Sequence, residues 1–300
     1  MKKKKIVLII IGILLVISIA VAAIVLLTNK EEAYRIVKVY EFEGDATVSR
    51  TDLGDIEPYN NMLLESGDNI KFNTGLMTLK LDDDKYVYVE ENTEFSLEAT
   101  GTADNSKTTI NLKSGALTNE IQNKLSGESS YEINTPNSTM SVRGTTYRVE
   151  IYQDKDGVNY TRVSVFEGKV TTKLIYADGT VSEQEVGVDA GKEVIIYEDD
   201  TTTDYLGDVK DIDYSTLPDD VLLIVGEVLD MDETMTDEEI IRTYKGPFTV
   251  TFLYNGNTFG TQIVEMGECA QMPTLMPAQK GSWDFDFSQP ITADTEIVWK

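Results

Sequence analysis

Four turn dipeptides, Asp156-Gly157, Glu167-Gly168, Asp178-Gly179 and Ala190-Gly191, fall eleven, eleven and twelve residues apart. The runs between them are short and rich in β-branched and aromatic residues, which is strand composition at strand length. Similar runs continue upstream. Tyr86-Val-Tyr-Val89 follows the acidic turn Asp82-Asp-Asp84, and Thr108 to Lys113 and Ala116 to Ile121 flank an expected turn at Ser114-Gly115. From Thr145 onward, Tyr147, Val149 and Ile151 alternate with Thr146, Arg148 and Glu150, the mark of a half-buried strand. Counted backward without interruption, that alternation puts Arg143 on the buried side. No helix is expected between Arg35 and Glu198, so this body is expected to be all-β.

The amino terminus constrains location. After Lys2 to Lys5, residues Ile6 to Thr28 carry only Ser18 and Thr28 as polar side chains. Twenty-three residues make a helix of roughly 34 Å, enough to cross the hydrocarbon layer. The lysines should stay in the cytoplasm, leaving everything after Asn29 outside. A cleaved signal peptide is the rival reading, because Ala20-Val21-Ala22 resembles a cleavage site. The apolar run continues through Ile24 to Leu27, long for a signal core, and favours an uncleaved anchor. The expected location is a cell membrane, single-pass, with residues 1–5 cytoplasmic and 6–28 spanning.

Removing Lys2 to Lys5 and Lys30 from the 26 basic residues leaves 21 against 52 acidic ones, a formal charge near −31 for the external part. Such a surface should repel nucleic acid. There is no histidine and one cysteine, Cys269. Histidine triads, His/Cys zinc sites and internal disulfides are thereby excluded.

The composition shifts beyond residue 198. Asp199 to Thr216 is acidic and threonine-rich, with a linker's character. Pro218, followed by Asp219 and Asp220, opens an expected short helix carrying Val221-Leu-Leu-Ile-Val225, which should pack on a β domain. Thr236-Asp-Glu-Glu239 is a capping box for a second helix, ended by Gly246-Pro247. Phe248, Val250 and Phe252 then alternate with Thr249 and Thr251, and Asn255-Gly256 supplies a turn. The expected divisions are a β body at 37–198, an acidic helical linker at 199–246 and a small β domain at 247–300.

The body from about Val37 to Ile196 resembles the FecR domain. The matching pieces are Phe42-Glu-Gly44, Leu64-Glu-Ser-Gly67-Asp68, Thr74-Gly75, Leu79-Lys-Leu81, Leu112-Lys-Ser-Gly115, Thr135-Pro136, Ser141-Val-Arg143-Gly144-Thr145-Thr-Tyr147-Arg-Val149 and Val165-Phe-Glu-Gly168. The resemblance implies an extracytoplasmic all-β domain. In Gram-negative regulators, domains of this family pass an outer-membrane uptake signal to a sigma factor inside. Only Met1 to Lys5 precede the apolar run here, so sigma-factor control is not carried over with the resemblance.

The tail, about 247–300, resembles a degenerate Listeria–Bacteroides repeat, a small β-grasp-like module of surface proteins. Phe248 to Phe252, Val264-Glu-Met-Gly267, Pro273 and Phe285-Asp-Phe-Ser288 carry the match, with Trp283 in a shortened aromatic stretch. Trp283, Phe285 and Phe287 are expected in its core, and Cys269 as a half-buried passenger.

The candidate site residues are those of the family motif: Ser141, Arg143, Gly144, Thr145, Tyr147, Val149 and Gly168. An inward Arg143 would have to meet carboxylates or carbonyls and clamp strands together. Gly144 would let another backbone approach, or supply a bulge that turns Arg143 outward. Anion binding is the functional alternative. Acidic groups at Asp82 to Asp84, Glu198 to Asp200 and Asp208/Asp211/Asp213 invite calcium, but none has calcium-hand spacing. Solvated turns are the expected reading. No catalytic or phosphate-loop motif is present, and no cofactor is expected. The whole points to a non-enzymatic binding or signal-sensing module with an envelope or extracellular protein partner. The other reading is a structural or adhesive envelope protein working through its tail.

Overall fold

Alternating sequence becomes strand almost throughout the computed structural model, which describes residues 35–102, 105–153, 155, 157, 159–197 and 206–300. The proposed anchor at 6–28 lies outside these residues. No helix among them is long and apolar enough to cross a membrane. The strands of the main body begin with β1 (Val37–Arg50), β2 (Gly54–Ile56), β3 (Asn69–Leu81), β4 (Lys85–Val89), β5 (Thr93–Thr102), β6 (Asn105–Ile121) and β7 (Ser130–Asn134). They continue with β8 (Ser138–Val142), β9 (Thr146–Gln153), β10 (Asn159–Glu167), β11 (Lys169–Leu174), β12 (Val186–Asp189), β13 (Lys192–Tyr197) and β14 (Lys210–Asp211).

These strands build two layers that share their longest members. The first half of β6 pairs with β5 and, in parallel, with β7, while its second half pairs with β4 and β9. Likewise β3 gives its first residues to β5 and its last to β4, and β1 follows it along both halves. One layer continues through β7, β8, β11 and β12, and the other through β9, β10, β13 and β14. Phe72, Phe95, Tyr131 and Tyr147 are fully buried in the core between them.

Each crossing from layer to layer switches which parity of residue faces inward. Val37 and Val39 are buried before Gly44, then Ala46 and Val48 after it; Ile70 and Phe72 precede Gly75, then Met77, Leu79 and Leu81 follow. In β6, Ile110 and Leu112 give way to Leu117 and Ile121 across Gly115. Strand side chains alternate faces with period two, so a chain that bends into the opposing layer must shift by one residue to keep its apolar side inside. The expected turn at Ser114-Gly115 is therefore corrected: β6 runs through it as one bent strand.

Leu206 and Ile212 are buried, so the described part of the expected linker is tied to the body. A 3-10 turn (Tyr214–Thr216), α1 (Asp219–Val228) and α2 (Asp237–Lys245) follow. As the apolar run required, Val221, Leu222 and Val225 bury against Phe166 and Ile212 on the outer face of the second layer. Helix α2 starts at the expected capping box, with Thr236 accepting from the Glu239 amide and Glu239 accepting from that of Thr236.

The small domain has β15 (Phe248–Tyr254), β16 (Asn257–Val264) and β17 (Thr295–Val298), ordered β16-β15-β17 with β17 parallel to β15. Trp283 fills its core beside Phe252, at 5.1 Å between ring centres, with Phe285 and Phe287 packed against it. Cys269 is exposed rather than half-buried, on the loop after β16 where it bridges to Pro290.

The body's tyrosines predict its pH response. Burial raises Tyr131, Tyr147 and Tyr88 above the ordinary phenol value of 10.0, and the Glu120 charge, 2.9 Å from the Tyr88 hydroxyl, adds to it there. A folded-state pKa above the unfolded one contributes stability that is complete below the unfolded value and lost as pH rises past it. With no histidine in the chain, the urea midpoint should stay flat from about pH 6 to 9 and fall above about pH 10. A midpoint that moved between pH 6 and 8 would contradict this.

Candidate functional site

The stretch from Ser138 to Val149 also departs from simple alternation. Met140 and Val142 of β8 face the core, as do Tyr147 and Val149 of β9, and the parity changes at Gly144. The same happens between Val165 and Val170, across Gly168. Here β8 leaves the first layer to become β9 in the second, and β10 leaves the second to become β11 in the first. The two corners lie against each other. A Cβ on Gly168 would fall 2.7 Å from the Gly144 carbonyl oxygen and 2.9 Å from Thr145 Oγ1. Thr145 Oγ1 donates to the Lys169 carbonyl at 3.1 Å and fastens them together. Gly144 has φ of 110° and its open side meets Lys124, so the close approach and the outward turn are both realised.

The inward reading of Arg143 is thereby corrected: Arg143 is exposed, because Gly144 breaks the alternation that was counted through it. The buried cation of this stretch is Arg148, 3% exposed, at a position whose parity reads as solvent-facing. Its Nε and Nη2 donate to Glu90 at 2.6 and 2.8 Å, and its Nη1 to Glu150 at 3.0 Å. Burial pulls its pKa down most strongly, yet the hydrogen bonds and charge of Glu90 and Glu150 outweigh that and raise it. It stays charged and clamps β9 to the residue following β4.

The motif thus divides. Gly144, Thr145, Tyr147, Val149 and Gly168 build the corner and core, whereas Ser141 and Arg143 face solvent. These two line an open hollow of about 400 Å³ with Ser130, Glu132, Lys169 and Thr171. Pairing explains the grouping: Glu132 lies opposite Ser141, and Ser141 opposite Thr171, across β7, β8 and β11. Arg143 and Lys169 follow and precede the last pair of that ladder, Val142 with Val170, and both line the hollow. Lys169 is held by Asp189 at 3.0 Å. Arg143 holds no carboxylate among the described residues, whereas Arg35, Arg50, Arg148, Arg162 and Arg242 each do. Sequence reading missed Lys169, Thr171, Ser130 and Glu132; the Lys after Gly168 was the only local signal for any of them.

Of the acidic groups weighed for calcium, Asp82 is taken by Arg35, Asp84 by Lys85 and Asp211 by Lys192, while Asp213 accepts from Ser215. Residues 198–200 lie outside the described set. Among the described residues no group of three or more His, Cys, Asp or Glu could hold a metal ion.

Two crystal structures, each of a proposed anti-sigma factor from Parabacteroides distasonis ATCC 8503, are similar to part of this chain. One is 16% identical, covering 48% of this chain and 58% of that one, with a TM-score of 0.35. The other is 15% identical, covering 57% and 81%, with a TM-score of 0.36. No curated protein matches the chain. The family model described as FecR protein matches residues 70–171, which run from β3 through both glycine corners and into β11. Within the two-layer body, residues 70–171 therefore form a FecR domain.

Proposed function

We propose that this protein is a non-enzymatic, signal-sensing module that works by binding a protein partner through the hollow at Arg143. In this reading residues 6–28 hold it at the membrane with the FecR domain outside, which confines it beside envelope partners and raises its effective concentration there. The observation that carries the reading is the outward Arg143. In a chain with 52 acidic side chains, an arginine that holds no carboxylate among the described residues is available as a recognition group. The FecR domain supports the regulatory part of the reading.

A photo-crosslinking residue placed at Thr171 of the full chain in cells tests it. A discrete adduct is expected there, absent with the same residue at exposed Tyr59 and lost when Arg143→Glu is added. Adducts insensitive to Arg143→Glu would overturn it.

A second reading, adhesion through the small domain, is supported by Ile263, Met272 and Leu275, which are 67%, 53% and 76% exposed there. Deleting residues 248–300 should abolish surface attachment under that reading. Unchanged attachment would remove it.

A further inference from the structure

Resting on the binding reading above, we infer that the group taken at this hollow is a carboxylate of a peptide segment. Arg143 holds no carboxylate among the described residues, and Lys169 lines the same hollow with its ammonium on Asp189. Two cations lining one hollow make it favourable for an anion. Lys169 is partly relieved by Asp189, at 58% and 69% side-chain exposure, so both remain free to exchange partners with an incoming anion. Ser130, Ser141 and Thr171 place hydroxyl donors in the same hollow.

Three features narrow the class. The chain's formal charge of −26 repels polyanions at a distance, which disfavours nucleic acid and favours a single compact anion. Glu132 lines the hollow too. Its charge opposes a phosphate dianion more than a carboxylate monoanion, while the guanidinium fork pairs well with a carboxylate. The hollow is open, with room for a side chain that arrives on a longer segment.

The arginine Nε–H signals of the ¹⁵N-labelled full chain in detergent micelles provide the readout. Six arginines give six signals, and that of Arg143 is identified by its loss in Arg143→Lys. Titration with a blocked Gly-Glu-Gly peptide should shift this signal saturably, and the Gly-Gln-Gly counterpart should not. Glu132→Gln should tighten peptide binding by about fivefold, the upper end for one exposed charge pair. An Arg143 signal indifferent to the glutamyl peptide, or moved equally by the glutaminyl one, would overturn the inference. So would a response to inorganic phosphate alone. Acetate binding as tightly as the peptide would assign the hollow to free small carboxylates and remove the peptide. A crosslink at Thr171 with no carboxylate dependence would keep the binding reading and sink only this one.

Discussion

Arg148→Ala is expected to destabilise the main body by about 3 kcal/mol, the lower end for breaking a buried ion pair, because Glu90 and Glu150 are only partly buried. Arg143→Ala, five residues earlier, is expected to change stability by no more than about 0.5 kcal/mol. The two arginines lie within one motif, on opposite sides of Gly144. Arg148 is 3% exposed and holds both oxygens of Glu90, while Arg143 holds no carboxylate among the described residues. Chemical denaturation followed by circular dichroism in the strand band measures the body. Trp283 and Trp299, the chain's two tryptophans, lie in the small domain, so their fluorescence follows that domain separately and should not change. Equal losses for the two variants would refute the division of the motif into a buried clamp and an exposed recognition group.

Gly75→Ala is expected to cost about 3 kcal/mol or more, combining a strained backbone with overpacking. A Cβ at Gly75, where φ is 113°, would fall 2.1 Å from the Glu43 carbonyl oxygen and 2.8 Å from Gly44 Cα. Both are backbone atoms of the paired strand, so neither can yield without parting β1 from β3 at the bend. Gly179 makes the control: its φ of 82° is also left-handed, yet nothing lies within 4 Å of an added Cβ. Gly179→Ala should cost only the conformational penalty of about 1–2 kcal/mol. If the two substitutions proved equally tolerated, Gly75 would not be the point where the shared strands change layers.

The glycine corners also explain where alternation misleads. Within a single run the apolar parity was legible: Tyr147 and Val149 are buried as their spacing requires. Continued through Gly144 toward the amino terminus, the same counting assigned Arg143 to the wrong face, and at Ser114-Gly115 it produced a turn where one strand bends. A glycine between two alternating runs fits a hairpin or a layer crossing equally well. Only the partners on either side separate the two, and for β6 those partners range from β4 to β9.

What the sequence alone determined is local: strand period, the capping box at Thr236 and Glu239, the apolar face of α1, and the aromatic core of the small domain. Each depends on residues within a few positions of one another. Tertiary structure decided the rest. Arg148 occupies a parity that reads as solvent-facing, but its carboxylate partner Glu90 is 58 residues away, and a helix beginning at Asp219 packs on the outer face of the same layer. The hollow at Arg143 likewise joins side chains from β7, β8 and β11, whose neighbourhood is set by long-range strand pairing. Alternation distinguishes two faces of a strand; it carries no information about what later covers either face.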